Sequence, residues 1–147
     1  MKSIPVIPVP FKVHGVSVIC RRDGRFLLVE RGKEPWKGWL AFPGGGIDAG
    51  ETPERAALRE LKEETALDAR GLSHVITVDL ALEGGAYDKS YYLSVFRALE
   101  ISGHEVAGDD AVSIHWLTLA EMEQAQVTDS TLDVARDIAR HEDIQQY

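Results

Sequence analysis

Residues 59–64 read Arg-Glu-Leu-Lys-Glu-Glu, and this hexapeptide restricts the possible fold more than any other stretch of the chain. Thr52 is a good helix cap and Pro53 a favoured first helical residue, and the spacing predicts a helix from there to about Leu67. On a helix, residues three and four apart are neighbours. Glu60 therefore faces both Glu63 and Glu64, and like charges at that spacing cost about 0.2–0.5 kcal/mol per pair. No glutamate of this helix has a Lys or Arg four residues later, and Arg59 with Glu63 is the one attractive pair at that distance. Ala57, Leu58, Leu61 and Thr65 share an apolar face for the core, Glu60 and Glu63 project roughly opposite, and Glu64 lies at the border. Such an acidic wet face is costly unless something positive sits on it.

The surrounding sequence predicts what the helix packs on. Val13–Cys20 and Arg25–Glu30 are β-rich runs joined by Arg21-Arg22-Asp23-Gly24, and Asp-Gly is a strong hairpin signal. Residues 31–51 are dense in Gly and Pro and read as a long loop with a short strand at Trp39–Phe42. Leu72–Leu82 and Lys89–Leu99 read as a second strand pair, connected through residues 83–88. A polar loop over 102–111 leads to a strand at Val112–Leu117, then to a short helix capped by Thr118 and a longer one over Ser130–His141. The order β-β-helix-β-β-β-helix implies a mixed α/β domain with helices against a sheet, and 147 residues suit one domain, expected to span 1–147.

Composition closes off several function classes. A net charge of −8 leaves no basic stripe for long nucleic acid. A small anionic substrate remains compatible, provided a metal cation brings it in. The opening Met1–Pro10 carries three prolines and makes a poor signal peptide, better read as a lead-in or edge strand, and no later stretch is long enough to span a membrane. The single cysteine, Cys20, sits in an apolar run and suits a reducing compartment, so a cytoplasmic location is expected.

Read together, Gly45, Glu51 five residues on, and Arg59-Glu60-Leu61-x-Glu63-Glu64-x-x-Leu67 after seven more resemble the Nudix box, G-x5-E-x7-R-E-U-x-E-E-x-G-U, with U a bulky aliphatic residue. The departure is Ala66, where the family usually has glycine; alanine asks the helix end to close without a permissive left-handed residue. Ala41-Phe42-Pro43-Gly44-Gly45-Gly46 is similar to the family's usual entry to the box, and a similar order of elements extends from about Val13 to Trp116. The resemblance implies a Nudix-like fold with a mixed β-sheet sandwiched between helices. It also implies a catalytic magnesium, with manganese as the alternative. By position, Glu60, Glu63 and Glu64 resemble the metal ligands, Gly44 the residue whose carbonyl joins them, Arg59 the residue that orients the glutamates, and Glu51 an auxiliary carboxylate. The chemistry is consistent: magnesium is a hard cation that takes oxygen ligands and shares them among carboxylates, waters and substrate phosphates.

Outside the box, Asp110 lies six residues before Trp116, the spacing at which MutT-like relatives place an acidic residue for metal binding or base catalysis. In other relatives an aspartate pair in this loop reads the nucleobase, so Asp109 and Asp110 carry both readings beside that of a solvated turn. Arg31, at the end of a strand, is a candidate phosphate contact. Trp36 and Trp39 are candidates to stack a base or to anchor the loop, and one of Tyr91 and Tyr92 can face a ligand. The five histidines show no close metal-ligand spacing. Three functions are compatible with the resemblance. The leading one is hydrolysis of a nucleoside diphosphate linked to another moiety, with ADP-ribose giving AMP and ribose 5-phosphate. The second is a MutT-like (d)NTP pyrophosphohydrolase. The third is a non-catalytic Nudix sensor of nucleotides; such sensors usually carry a DNA-binding domain and often lose box glutamates, and this chain retains the glutamates. The expected partner is a small nucleoside diphosphate derivative, and the expected assembly a monomer or homodimer.

Overall fold

The computed structural model describes residues 13–80 and 91–145. The expected lead-in over 1–10 and the connection at 83–88 lie outside the described residues. The elements are β1 (Val13–Ile19), β2 (Arg21–Arg22), β3 (Arg25–Arg31), β4 (Leu40–Ala41), β5 (Gly44–Gly46), α1 (Pro53–Thr65), β6 (Asp68–Asp79), β7 (Tyr91–Ser102), β8 (Ala111–Leu117), α2 (Leu119–Glu123) and α3 (Asp129–Gln145). They form two four-stranded sheets where the sequence suggests one. The first is mixed, in the order β5-β1-β7-β6, with β1 parallel to β7. The second is antiparallel, β3 pairing with β2, β4 and β8.

The division starts at Cys20. Asp23 and Gly24 turn the chain at φ 53° and 74°, the geometry of a tight hairpin. Arg21 and Arg22 pair with β3 across that turn, and the Cys20 carbonyl accepts from the Leu27 amide at 3.1 Å. The rest of the long first arm expected over 13–20 does not join them, because β1 already has β5 on one edge and β7 on the other. The chain thus passes from one sheet to the other within a residue. At the crossing, Arg21 lies over the Phe26 ring at 3.8 Å and pairs with Glu142 of α3, which also takes Arg97 of β7 at 2.7 Å.

Period-2 alternation then sorts the core into two layers. Val16, Val18, Cys20, Leu27 and Phe96 face Ala56, Ala57 and Leu61 of α1. Ile19, Phe26, Leu28 and Val95 face Met122 of α2 and Val134, Ala135 and Ile138 of α3. The sheets therefore lie between helices, a mixed α+β architecture. Burial pushes the Cys20 thiol up to about 12, so this side chain is packing material and not a nucleophile. Among the described residues no helix is long and apolar enough to cross a membrane.

Helix α1 keeps its expected start but turns differently about its axis. Thr52 accepts from the Arg55 amide and Pro53 is the first helical residue. The buried side is Ala56, Ala57, Glu60, Leu61, Glu64 and Thr65, while Leu58 is 38% exposed. Glu60, expected on the wet face, is thus buried, and so is Glu64, expected at the border. The helix closes at Ala66 in the left-handed conformation, φ 64°, ψ 5°, as a glycine would.

Candidate active site

The buried flank of α1 meets β5, a strand of three glycines whose length and composition make it look like loop. It is a strand because only glycine allows the approach. A Cβ on Gly45 would lie 2.5–2.6 Å from the Glu60 carboxylate, and one on Gly44 would lie 2.0 Å from the Val16 carbonyl oxygen. Without those Cβ atoms, β5 pairs with β1 (Gly44 opposite Ser17, Gly45 opposite Val16) and carries the helix's carboxylates against the sheet. The Gly44 amide donates to Glu64 Oε1 at 2.7 Å.

The positive charge that the acidic helix needs is Arg59. Its Nε and Nη2 grip Glu51 in a bidentate pair at 2.8 and 2.9 Å. Nη1 donates to Glu60 at 2.8 Å and to Glu63 at 3.2 Å, and Nη2 also donates to the Gly46 carbonyl at 2.9 Å. A guanidinium has five N–H groups, and this one meets five acceptors. Asp48 adds its charge at 3.5 Å. Arg59 and the Asp48 amide hold the Glu51 carboxyl down at about 2. Glu60 is raised, because burial outweighs its pairing with Arg59. Burial pushes Glu64 further, to about 8, with the Glu60 and Asp109 charges adding and the Gly44 amide and Arg31 opposing.

The loop before β8 completes the rim. The Val106 and Gly108 amides donate to the Thr65 and Glu64 carbonyls, receiving the end of α1 whose oxygens lack helical partners. Gly108 is pressed so closely that a Cβ there would lie 2.6 Å from the Glu63 carbonyl. The chain then turns through Asp109 at φ 51°, a conformation aspartate tolerates better than most residues. One carboxylate oxygen each from Glu60, Glu63 and Asp109 lie within 4.8 Å of one another. Asp110 stands apart from that group, paired with Lys33 at 2.8 Å. Arg31, at the end of β3, donates from Nε to the Pro35 carbonyl at 2.8 Å.

These groups edge one cleft of about 520 Å³. Glu60, Glu63, Glu64, Arg59, Gly44, Arg31, Asp109 and Asp110 all border it, as do Trp36 and Tyr91, whereas Trp39 and Tyr92 do not and Glu51 stands behind Arg59. Ser17 and Gly108 also belong to this region, although they are not among the residues singled out from sequence. Gly108 had a legible signal, a glycine directly before an acidic pair in a turn. Ser17 had none, since a serine inside an apolar strand carries no mark of which side it faces.

The fold and this geometry agree with the comparisons to known proteins. The chain belongs to the NUDIX domain family, which matches residues 12–137. It is similar to an ADP-ribose pyrophosphatase of Methanocaldococcus jannaschii, 34% identical over 111 residues, which are 71% of this chain and 60% of that protein. It is also similar to an RNA pyrophosphohydrolase of Aeromonas hydrophila, 46% identical over 68 residues, 46% of this chain and 37% of that one. The chain thus spans 60% or less of these two relatives. Among solved structures, a MutT NUDIX hydrolase from Burkholderia pseudomallei superposes with a TM-score of 0.72 at 26% identity, covering 84% of this chain and 95% of that one.

Proposed function

We propose that this chain is a metal-dependent pyrophosphohydrolase that cleaves a nucleoside diphosphate linked to another moiety, with ADP-ribose the foremost substrate. The observation that carries this reading is the triplet of oxygens from Glu60, Glu63 and Asp109, within 4.8 Å of one another on the edge of a cleft of about 520 Å³. Three oxygen donors at that spacing suit magnesium or manganese, which when bound would neutralise diphosphate charge and polarise the phosphorus. Arg59 keeps Glu60 and Glu63 from separating under their own repulsion, and Glu51 fixes the arginine. A water oxygen adds to one phosphorus, the bridging P–O bond breaks, and ADP-ribose gives AMP and ribose 5-phosphate. The name of the M. jannaschii relative favours this substrate. The A. hydrophila relative favours a second reading, release of pyrophosphate from a triphosphate.

Product analysis separates them. With ADP-ribose and magnesium, the first reading expects AMP and ribose 5-phosphate, and no product in EDTA. Pyrophosphate from a nucleoside triphosphate or a 5′-triphosphorylated oligonucleotide, with ADP-ribose left intact, would favour the second. Binding of ADP-ribose without any AMP would leave a sensor. The aspartates give a finer test of the metal set. Asp109→Asn should lower turnover of every substrate and raise the magnesium requirement, while Asp110→Asn, which removes only the partner of Lys33, should do neither.

A further inference from the structure

Four buried side-chain polar atoms lack a hydrogen-bond partner among the described residues: Ser17 Oγ, Arg21 Nη1, Trp36 Nε1 and Trp116 Nε1. Two of the four, Ser17 and Trp36, border the cleft. Folded interiors seldom leave a hydroxyl or an indole N–H unpaired, because the group has lost water and gained nothing in return. Ser17 is only 4% exposed. It lies in β1 directly opposite Gly44, so one strand spacing of about 4.8 Å separates it from the strand that holds Glu64.

The surroundings say what kind of group would pair with it. Phe42 and Leu93 contribute apolar surface to the same cleft. Thr128 and Thr131, at the start of the 17-residue helix α3, contribute hydroxyls already bonded to each other at 2.7 Å. The cations bordering the cleft are already engaged: Arg59 by Glu51, Glu60 and Glu63, Arg31 by the Pro35 carbonyl and Lys33 by Asp110. Apolar walls with unpaired neutral polar atoms fit a neutral ring bearing hydrogen-bonding groups better than they fit a phosphate.

We propose that Ser17 and Trp36 are specificity-determining residues, whose Oγ and Nε1 hydrogen-bond the sugar or base of the nucleoside while the diphosphate lies toward Glu60 and Glu63. This rests on the reading of the cleft as a nucleoside diphosphate site. It does not depend on whether that site cleaves what it binds.

The test uses Ser17→Ala and Trp36→Phe, which remove one polar atom each and keep most of the packing. Calorimetric titration with AMP, ribose 5-phosphate and inorganic pyrophosphate, all with magnesium, reads binding directly. Each substitution should weaken AMP by about 3–10-fold, the worth of one hydrogen bond, and leave pyrophosphate unchanged. With ADP-ribose, KM should rise and kcat should hold. An equal loss for ribose 5-phosphate identifies the sugar as the partner, and a loss for AMP alone identifies the base. The ligand-free melting temperature of Ser17→Ala should be equal to or above that of the wild type, since an unpaired buried hydroxyl has gone. AMP binding unchanged in both variants, or pyrophosphate weakened equally, would overturn the proposal, as would a clear fall in the ligand-free melting temperature of Ser17→Ala. Wild type that binds AMP but cleaves nothing would sink the hydrolase reading alone. Wild type that cleaves ADP-ribose while both variants match it would sink this proposal alone.

Discussion

Two parts of the cleft lining are built in opposite ways. At the α1 end every N–H of Arg59 is engaged, and three carboxylates and a carbonyl are fixed by it. Elsewhere on the lining, Ser17 Oγ of β1 and Trp36 Nε1 of the loop after β3 have no hydrogen-bond partner among the described residues. The contrast matches the roles proposed for the two sets of residues. Like charges brought together for a cation need to be restrained before the cation arrives, so their positions are settled by the protein itself. A group that distinguishes one ligand from another must keep its bonding capacity for that ligand, and a site built to hydrogen-bond its substrate discriminates best when the bond is missing. Full engagement around Arg59 and unsatisfied bonding at Ser17 and Trp36 occur in the lining of one cleft.

Substitutions can sharpen or break this contrast. The largest effect is expected from Glu63→Gln, which removes charge from the metal set and should lower turnover about 10²–10³-fold, consistent with several kcal/mol of lost charge stabilisation. Its melting temperature in EDTA should stay level or rise slightly, because a like-charge neighbour of Glu60 is gone. A variant that instead melts much earlier would mean that the acidic end is structural. Arg59→Met comes next. It leaves Glu60 buried beside Glu63 without a counter-charge, and should lower stability in EDTA by about 2–3 kcal/mol, measured by denaturant titration. Magnesium should restore part of that loss; no recovery would argue against a cation at this position.

The third effect is a pH slope. Glu64 is raised from an ordinary 4.5 to about 8, so between those values the folded chain holds a proton that the unfolded chain has released. Stability in EDTA should therefore fall as pH rises from about 5 to 8, on the order of a few kcal/mol, with Glu60 acting in the same direction. Glu51, held at about 2, acts oppositely: its contribution is present above the ordinary 4.5 and is lost as pH falls toward 2. Glu64→Gln should flatten the slope above pH 5, and an unchanged slope would relocate its source. The smallest effect concerns the cap of α1. Ala66→Gly relieves a left-handed alanine and should raise stability by about 0.5–1 kcal/mol without altering turnover. A destabilised variant would show that the methyl group packs usefully there.

Much of this was legible in the sequence because it depends on local chemistry. Asp23-Gly24 turns where a hairpin signal places a turn, Thr52 caps α1, and Thr118 with Glu121 forms a capping box at α2. The features that were not legible depend on partners distant in the chain. Nothing in Val13–Cys20 says that both edges of β1 will be occupied, so a long hairpin was the natural expectation and two sheets the outcome. A three-glycine strand has no propensity to announce it; it exists because Glu60 and Val16 need the space. The helical period places Glu60 on the wet face and Glu64 at its border, yet β5 and Arg59 provide partners that let both sit on the buried side. Asp109 and Asp110 are adjacent and chemically identical, and a single left-handed φ sends one to the carboxylate group and the other to Lys33.

The ion pair at the sheet crossing also bears on how the chain is made. Arg21 and Glu142 are 121 positions apart, and Arg97 joins the same carboxylate from 45 positions away. Synthesis is vectorial, so Arg21 and the ring of Phe26 beneath it emerge long before their anion does. Until α3 has been made the strand switch at Cys20 has no lock, and the hairpin that follows it can form well ahead of the sheet it departs from. A helix made more than a hundred residues later is the one that fastens the turn after β1.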